Sequence, residues 1–203
     1  MTGTLYIVAA PSGAGKSSLV QTLIKTTPNL AASISCTTRP MRHGEQDGVH
    51  YHFVSDADFS ARLAQGDFLE HAVVFGHRYG TSRSFVEERL LQGLDVILTI
   101  DWQGARGVRM AQPDCVSIFI LPPSRKALRE RLAARGQDSA DTIEQRMAAA
   151  RDEIAHYPEF DYLVLNDDFE SALADLQAII RARRLSRAAQ TQKMRALLQD
   201  LLA

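Results

Sequence analysis

The chain has 203 residues, 45% of them hydrophobic and 23% charged, with a formal net charge of -1. That balance excludes a disordered chain and suits one core domain with small insertions. It offers no global positive field for a polyanion, so the expected ligand is a small anion in a local basic pocket, not nucleic acid. Cys36 and Cys115 cannot build a disulfide framework, and no apolar run is long enough to cross a bilayer. With no basic leader before the first apolar segment, the expected setting is cytoplasmic, without membrane contact.

Residues 5–10 form a continuous apolar run that reads as a buried strand. Lys16–Thr26 follows as a helix, with Leu19, Leu23 and Ile24 on one face. Residues 33–82 break the rhythm. They are dense in Ser, Thr, Tyr, His and Gly and hold short alternating stretches at 50–54 and 68–74, which predicts a small β-rich insertion. Residues 96–100 and 116–121 are apolar runs suited to central parallel strands, with a helix over 102–110 between them. Ser124 is placed to cap a helix reaching about residue 134, and 161–166 reads as the last strand. From Phe169 onward the pattern is one long amphipathic helix, or two. Strands alternating with helices predict an α/β fold around a mostly parallel sheet.

Ala10-Pro11-Ser12-Gly13-Ala14-Gly15-Lys16-Ser17 matches the phosphate-loop pattern G-x-x-x-x-G-K-[ST] except at its first position, where alanine replaces glycine. Its setting between a strand and a helix is the one that chemistry needs. Gly13 and Gly15 let the backbone curl until successive N–H groups point at phosphate oxygens, and the helix N-terminus adds partial positive charge. Residues Ser12, Gly13, Ala14, Gly15, Lys16, Ser17 and Ser18 are therefore expected to hold ATP. Lys16 reaches the β- and γ-phosphates and the Ser17 hydroxyl takes Mg²⁺.

The insertion carries a second pattern. Ser35-Cys36-Thr37-Thr38-Arg39-Pro40-Met41-Arg42-His43-Gly44-Glu45, then Gly48-Val49-His50-Tyr51-His52-Phe53, resembles the signature of the guanylate kinases. The resemblance continues through Phe68-Leu69-Glu70-His71-Ala72, Tyr79-Gly80-Thr81, Ile100-Asp101-Trp102-Gln103-Gly104, Pro122-Pro123-Ser124 and Asn166-Asp167-Asp168, and is collinear from about residue 5 to residue 180. It implies a P-loop NTPase-type three-layer fold with a parallel core sheet, a mixed-β GMP-binding insertion and a helical lid. The matching division is a core of 1–32, 83–125 and 156–203, an acceptor subdomain of 33–82 and a lid of 126–155. The implied activity is transfer of the ATP γ-phosphoryl group to GMP or dGMP.

Residue chemistry is consistent with that. Arg39 and Arg42 supply guanidinium forks that match phosphate oxygens, and Tyr51 and Tyr79 supply phenolic donors. By resemblance, Arg42, Tyr51 and Tyr79 hold the acceptor phosphate while Arg39 reaches the groups being joined. Guanine presents two donors beside an acceptor. A carboxylate such as Glu70 accepts both donors, and hydroxyls of Ser35 and Thr81 can donate to the acceptor. The resemblance adds Arg135 and Arg146 as catalytic lid arginines, Asp101 and Gly104 among the substrate-binding residues, Asp101 as an organiser of Mg²⁺ through water, and Asn166 near the adenine of ATP. It departs at Thr99, where relatives commonly carry a carboxylate.

Two other readings stay open on sequence. One is a scaffold module of the same fold that binds partner peptides; the other is a P-loop kinase with a different acceptor. Arg181, Arg183, Arg184 and Arg187 in the C-terminal segment present a solvated face or a surface packed in a homo-oligomer.

Overall fold

A computed structural model describes residues 2–74, 76–134 and 140–203. At its centre lies β1 (Leu5–Ala9), whose five residues are all buried because it is flanked by strands on both sides. With β2 (Leu30–Ala32), β7 (Asp95–Thr99), β8 (Val116–Leu121) and β9 (Tyr162–Leu165) it forms a parallel sheet in the order β2-β7-β1-β8-β9. Leu5 pairs with Val96 on one side, and Tyr6 with Val116 on the other. Parallel neighbours require crossover connections, and the intervening helices supply them.

The two-residue period of β1 feeds two cores. Tyr6 and Val8 pack with Leu19 and Leu23 of α1 (Lys16–Thr26) and with Leu176 and Ile180 of α7 (Phe169–Arg184). Leu5 and Ile7 face Val86 of α3 (Arg83–Leu91) and Ala105 and Val108 of α4 (Trp102–Ala111). The result is helix, sheet, helix. Every ladder partner of β1 ends its strand on the same side, so the carboxyl ends of β1 and β7 open into one crevice, where ligands of such sheets bind.

A second sheet, ordered β4-β3-β6-β5, draws its strands from β3 (Cys36–Thr37), β4 (His52–Phe53), β5 (Phe68–Val74) and β6 (His77–Ser82). The insertion is not purely β. Ser55 accepts a hydrogen bond from the Asp58 N–H and starts α2 (Asp56–Ala64), whose buried Phe59 stacks on Phe68 at 4.5 Å between ring centroids. α4 packs against β5 and ties this sheet to the core.

The C-terminal segment differs from the one or two helices expected. It is three: α7, α8 (Arg187–Lys193) and α9 (Arg195–Leu201). The first break comes at Leu185, after which the Ser186 hydroxyl accepts from the Ala189 N–H and restarts the helix. The remaining helices are α5 (Arg125–Ala133), capped by Ser124 as expected, and α6 (Ala140–Ile154). No helix among the described residues is long and apolar enough to cross a membrane.

Candidate active site

The crevice begins at the phosphate loop. Gly13 and Gly15 hold φ values of 92° and 91°, left-handed geometry that a side chain would strain. Gly15 is doubly constrained, because a Cβ there would sit 2.3 Å from the Asn166 amide nitrogen. That amide donates to the Ala14 carbonyl at 2.7 Å, and Asn166 is buried. Asn166 therefore braces the loop from behind. Its carbonyl in turn accepts from Arg131 of α5 at 3.0 Å. Ser12 is half-buried and Ala14 fully buried, while Ser17 and Ser18 are exposed at the first turn of α1.

Lys16 turns inward and donates to the Ile100 carbonyl at 3.2 Å. Burial pushes its pKa down from the usual lysine value, and the nearby carboxylates of Glu153 and Asp101 oppose that shift. Asp101, which follows β7, caps α4 by accepting from the Gly104 N–H at 2.8 Å.

The same helix start meets the second sheet. Between Phe68 and Glu70 the β5–β6 register shifts, so that Glu70 falls opposite Thr81. A bulge of this kind re-aims the side chain that follows it. Glu70 Oε1 accepts from the Thr81 hydroxyl at 2.7 Å, and Oε2 lies 2.8 Å from where a Cβ on Gly104 would stand. Any side chain there would push the carboxylate aside. Both Glu70 and Thr81 are buried, and desolvation pushes the Glu70 carboxyl up to about 7. Thr81 counters that rise with its hydrogen bond, while Asp101 adds to it. Thr81 thus spends its proton on Glu70, so the hydroxyl expected to face a base acts first on the carboxylate.

A third group gathers around Tyr79, two residues before Thr81 on β6 and so on the same face of that strand. Arg39 is buried, donating from Nη1 to the Pro40 carbonyl at 2.7 Å and from Nη2 to both oxygens of Glu45 at 2.7 and 2.9 Å. Its guanidinium lies 5.4 Å from the centroid of Tyr51, which meets Tyr79 edge to face at 5.8 Å. Arg42 is exposed, and its backbone N–H also donates to Glu45 at 2.8 Å. Burial opposes the Arg39 charge, but Glu45 more than offsets it and holds the guanidinium above its usual pKa. Ser35 is half-buried at the entry to β3.

Lys16, Asp101, Gly104, Glu70 and Thr81 are thus joined by contacts and charge across the two sheets, and Arg39, Tyr51 and Tyr79 form their own cluster. Arg146 is half-buried on α6, and Arg135 lies outside the described residues. Two carboxylates carry roles not assigned from the sequence. Glu45 holds Arg39, and its place in the quoted signature was the available signal. Glu153, in the last turn of α6, accepts from the Ser12 N–H at 3.2 Å, and nothing in its local pattern marks it. No group of three or more metal-ligating side chains occurs among the described residues. Mg²⁺ does not need one, since it keeps several waters and takes ligands from nucleotide phosphates. An exposed Ser17 hydroxyl and a half-buried Asp101 carboxylate, one of whose two oxygens serves the cap, fit such an ion.

The family described as Guanylate kinase matches this chain over residues 2–183. A guanylate kinase of Alkalilimnicola ehrlichii is 58% identical over 202 residues, covering 100% of both chains. One from Vibrio parahaemolyticus is 57% identical, covering 99% of this chain and 98% of its own. The crystal structure of guanylate kinase from Anaplasma phagocytophilum superposes with a TM-score of 0.75 at 33% identity, covering 92% of this chain and 88% of that one.

Proposed function

Since the chain belongs to the guanylate kinase family, and is by that membership an ATP:GMP phosphotransferase, we propose that the crevice between its two sheets performs the reaction with the residues described above. The observation that carries this assignment is the convergence of a lysine-bearing phosphate loop and a buried carboxylate on the same helix start, at Asp101 and Gly104.

An oxygen of the GMP phosphate attacks the γ-phosphorus of ATP. The bond to the β,γ-bridging oxygen breaks, and ADP leaves with that electron pair. The nucleophile is already anionic, so the protein need not remove a proton; it must hold two repelling anions in line. Loop N–H groups from Ser12 to Ser18 and the Lys16 ammonium bind the ATP phosphates. Arg42, Tyr51 and Tyr79 take the acceptor phosphate, and Arg39 faces the groups being joined. For that, Arg39 keeps its charge through Glu45. Ser17, with Asp101 through water, would hold Mg²⁺, which supplies further neutralisation of phosphate charge. Arg146 on α6 and Arg135 complete the set of cations. Asn166 contributes by bracing the loop.

Glu70 reads the base. Ionised, it accepts from both N1–H and the N2 amine of guanine; adenine presents the wrong pattern to it. Ser35 donates to the guanine O6. Nothing in this set requires a ribose 2′-hydroxyl, so dGMP is accepted too. ADP release from ATP–Mg²⁺ offered GMP, dGMP, AMP, CMP and UMP separately tests the reading. GMP is expected to turn over fastest, with dGMP also a substrate; an equal rate with AMP overturns the guanine assignment.

Gly104 gives a finer test. A methyl at that position meets Glu70 Oε2 at 2.8 Å, and the carboxylate must move. Gly104→Ala is expected to raise KM for GMP roughly tenfold, as a displaced but intact hydrogen-bonding group does, and to leave KM for ATP unchanged. Steady-state kinetics with each substrate varied in turn reads both.

A further inference from the structure

Glu153 sits where the phosphate loop would receive an anion. It is a half-buried residue in the last turn of α6, outside the loop and more than a hundred positions from it in sequence. Its Oε2 nevertheless accepts from the Ser12 N–H at 3.2 Å. Its charge is also the largest favourable electrostatic influence on Lys16, ahead of that of Asp101. The loop offers two things to a phosphate, inward N–H groups and an ammonium. One carboxylate accepts from the first and lends its charge to the second.

We propose that Glu153 is an intramolecular stand-in for nucleotide phosphate, occupying the loop in the nucleotide-free protein and competing with ATP for it. Half-buried Lys16 favours such a partner, because an ammonium partly withdrawn from water is stabilised by a nearby counter-charge. ATP brings its own negative charge to the same N–H and the same ammonium, so carboxylate and phosphate cannot both keep them. Glu153 therefore lowers the apparent affinity for ATP by the fraction of molecules in which it holds the loop. The reciprocal holds as well: phosphate arrival releases the last turn of α6 from Ser12, which links occupancy of the loop to the helix that carries Arg146. The inference rests on the reading of this loop as the ATP site.

The test measures dissociation constants by calorimetry for ATP, inorganic tripolyphosphate and adenosine, with wild type, Glu153→Gln and Glu153→Ala. Glu130→Gln, an exposed α5 position away from the loop, is the control. Removing a charge-assisted hydrogen bond from the competitor is expected to tighten ATP and tripolyphosphate about tenfold, with adenosine and the control unchanged. Each variant is also melted with and without tripolyphosphate. A less stable apo form that gains a larger rise in melting temperature than wild type supports the stand-in. Unchanged or weaker tripolyphosphate binding in both Glu153 variants overturns it, since a carboxylate that merely shapes the loop would lose affinity when removed. Wild type that binds neither ATP nor tripolyphosphate overturns the assignment of the loop itself, a result distinct from the other two.

Discussion

Lys16→Met is expected to lower kcat by about a thousandfold, the scale for removing a fixed charge from a water-excluded phosphoryl-transfer site. Lys16 is half-buried and directed into the crevice by the Ile100 carbonyl. Its charge there is preorganised, so none of the stabilisation it gives the transferring group is consumed in reorienting it. Methionine keeps most of the apolar stem and removes only the cation. KM for GMP should change little, because the proposed acceptor contacts lie on the second sheet and on α4. Folding should survive. The lysine pKa is depressed by burial, so the folded state disfavours its proton relative to the unfolded chain. That penalty is present at neutral pH and is relieved as pH rises from the depressed value toward 10.5. Losing the ammonium removes the penalty but leaves Glu153 without its partner, and the two changes oppose one another. Steady-state kinetics alongside a thermal melt checks this. A kcat reduced less than tenfold, or a loss shared equally with KM for GMP, would count against the role.

The parts of this machinery that sequence made legible are those fixed by local rules. The apolar run of β1, the single-face leucines of α1, the full length of β8 and the Ser124 cap each follow from side chains within a few positions of one another. The phosphate loop belongs with them, since its glycines, lysine and serine are contiguous. β2 has only three residues, one of them buried, too short a run to show a strand period. The short helices α2 and α3 each bury a single side chain in full, Phe59 and Val86, so their sequences show little apolar stripe. The division of the C-terminal segment hinged on Ser186, a competent cap inside a pattern that otherwise continues as helix.

The proposed site residues divide in the same way. Glu70, Tyr51 and Tyr79 are singled out by motif order alone. Their state cannot be read that way. Glu70 faces Thr81 only because Leu69 adds one residue to β5, and it is held against Gly104 only because α4 packs on that strand. Asn166 is a polar residue at a strand end, which on sequence faces the nucleotide as readily as the loop. The loop's own geometry decides it: glycines at positive φ leave the Ala14 carbonyl turned inward, and a buried carbonyl requires a donor. Glu153 reaches Ser12 across 141 positions of chain, a contact made by the return of α6 and by no local pattern.

Glu70→Gln is expected to lower kcat/KM for GMP by two to three powers of ten, roughly the penalty for a buried site that cannot satisfy a substrate's donors. An amide offers one acceptor and one donor where guanine needs two acceptors, so one N–H of the base is left facing an N–H of the protein. The wild-type carboxyl, pushed up to about 7 by burial, is protonated in much of the free protein at neutral pH. Guanine binds the ionised form. GMP binding should therefore release a proton, and affinity should rise with pH until about 7 and then level off. Between pH 8 and pH 5.5 the loss attributable to Glu70 is roughly thirtyfold. The GMP phosphate itself titrates near pH 6, so the slope belonging to Glu70 is the difference between wild type and Glu70→Gln, or the slope seen with guanosine, which lacks the phosphate. Stability runs the other way. A carboxyl whose folded pKa exceeds its unfolded value near 4.5 holds a proton that the unfolded chain has lost, so stability falls as pH rises from 4.5 to about 7. The total is about 3 kcal/mol, and the penalty persists above that window. Glu70→Gln escapes it, and at pH 8 without ligand the variant is expected to melt several degrees above wild type while binding GMP worse. Opposite signs in the two measurements are what a base-reading carboxylate held against its own solvation produces. A variant both less stable at pH 8 and unaltered in the pH dependence of guanosine binding would show Glu70 to be a packing residue.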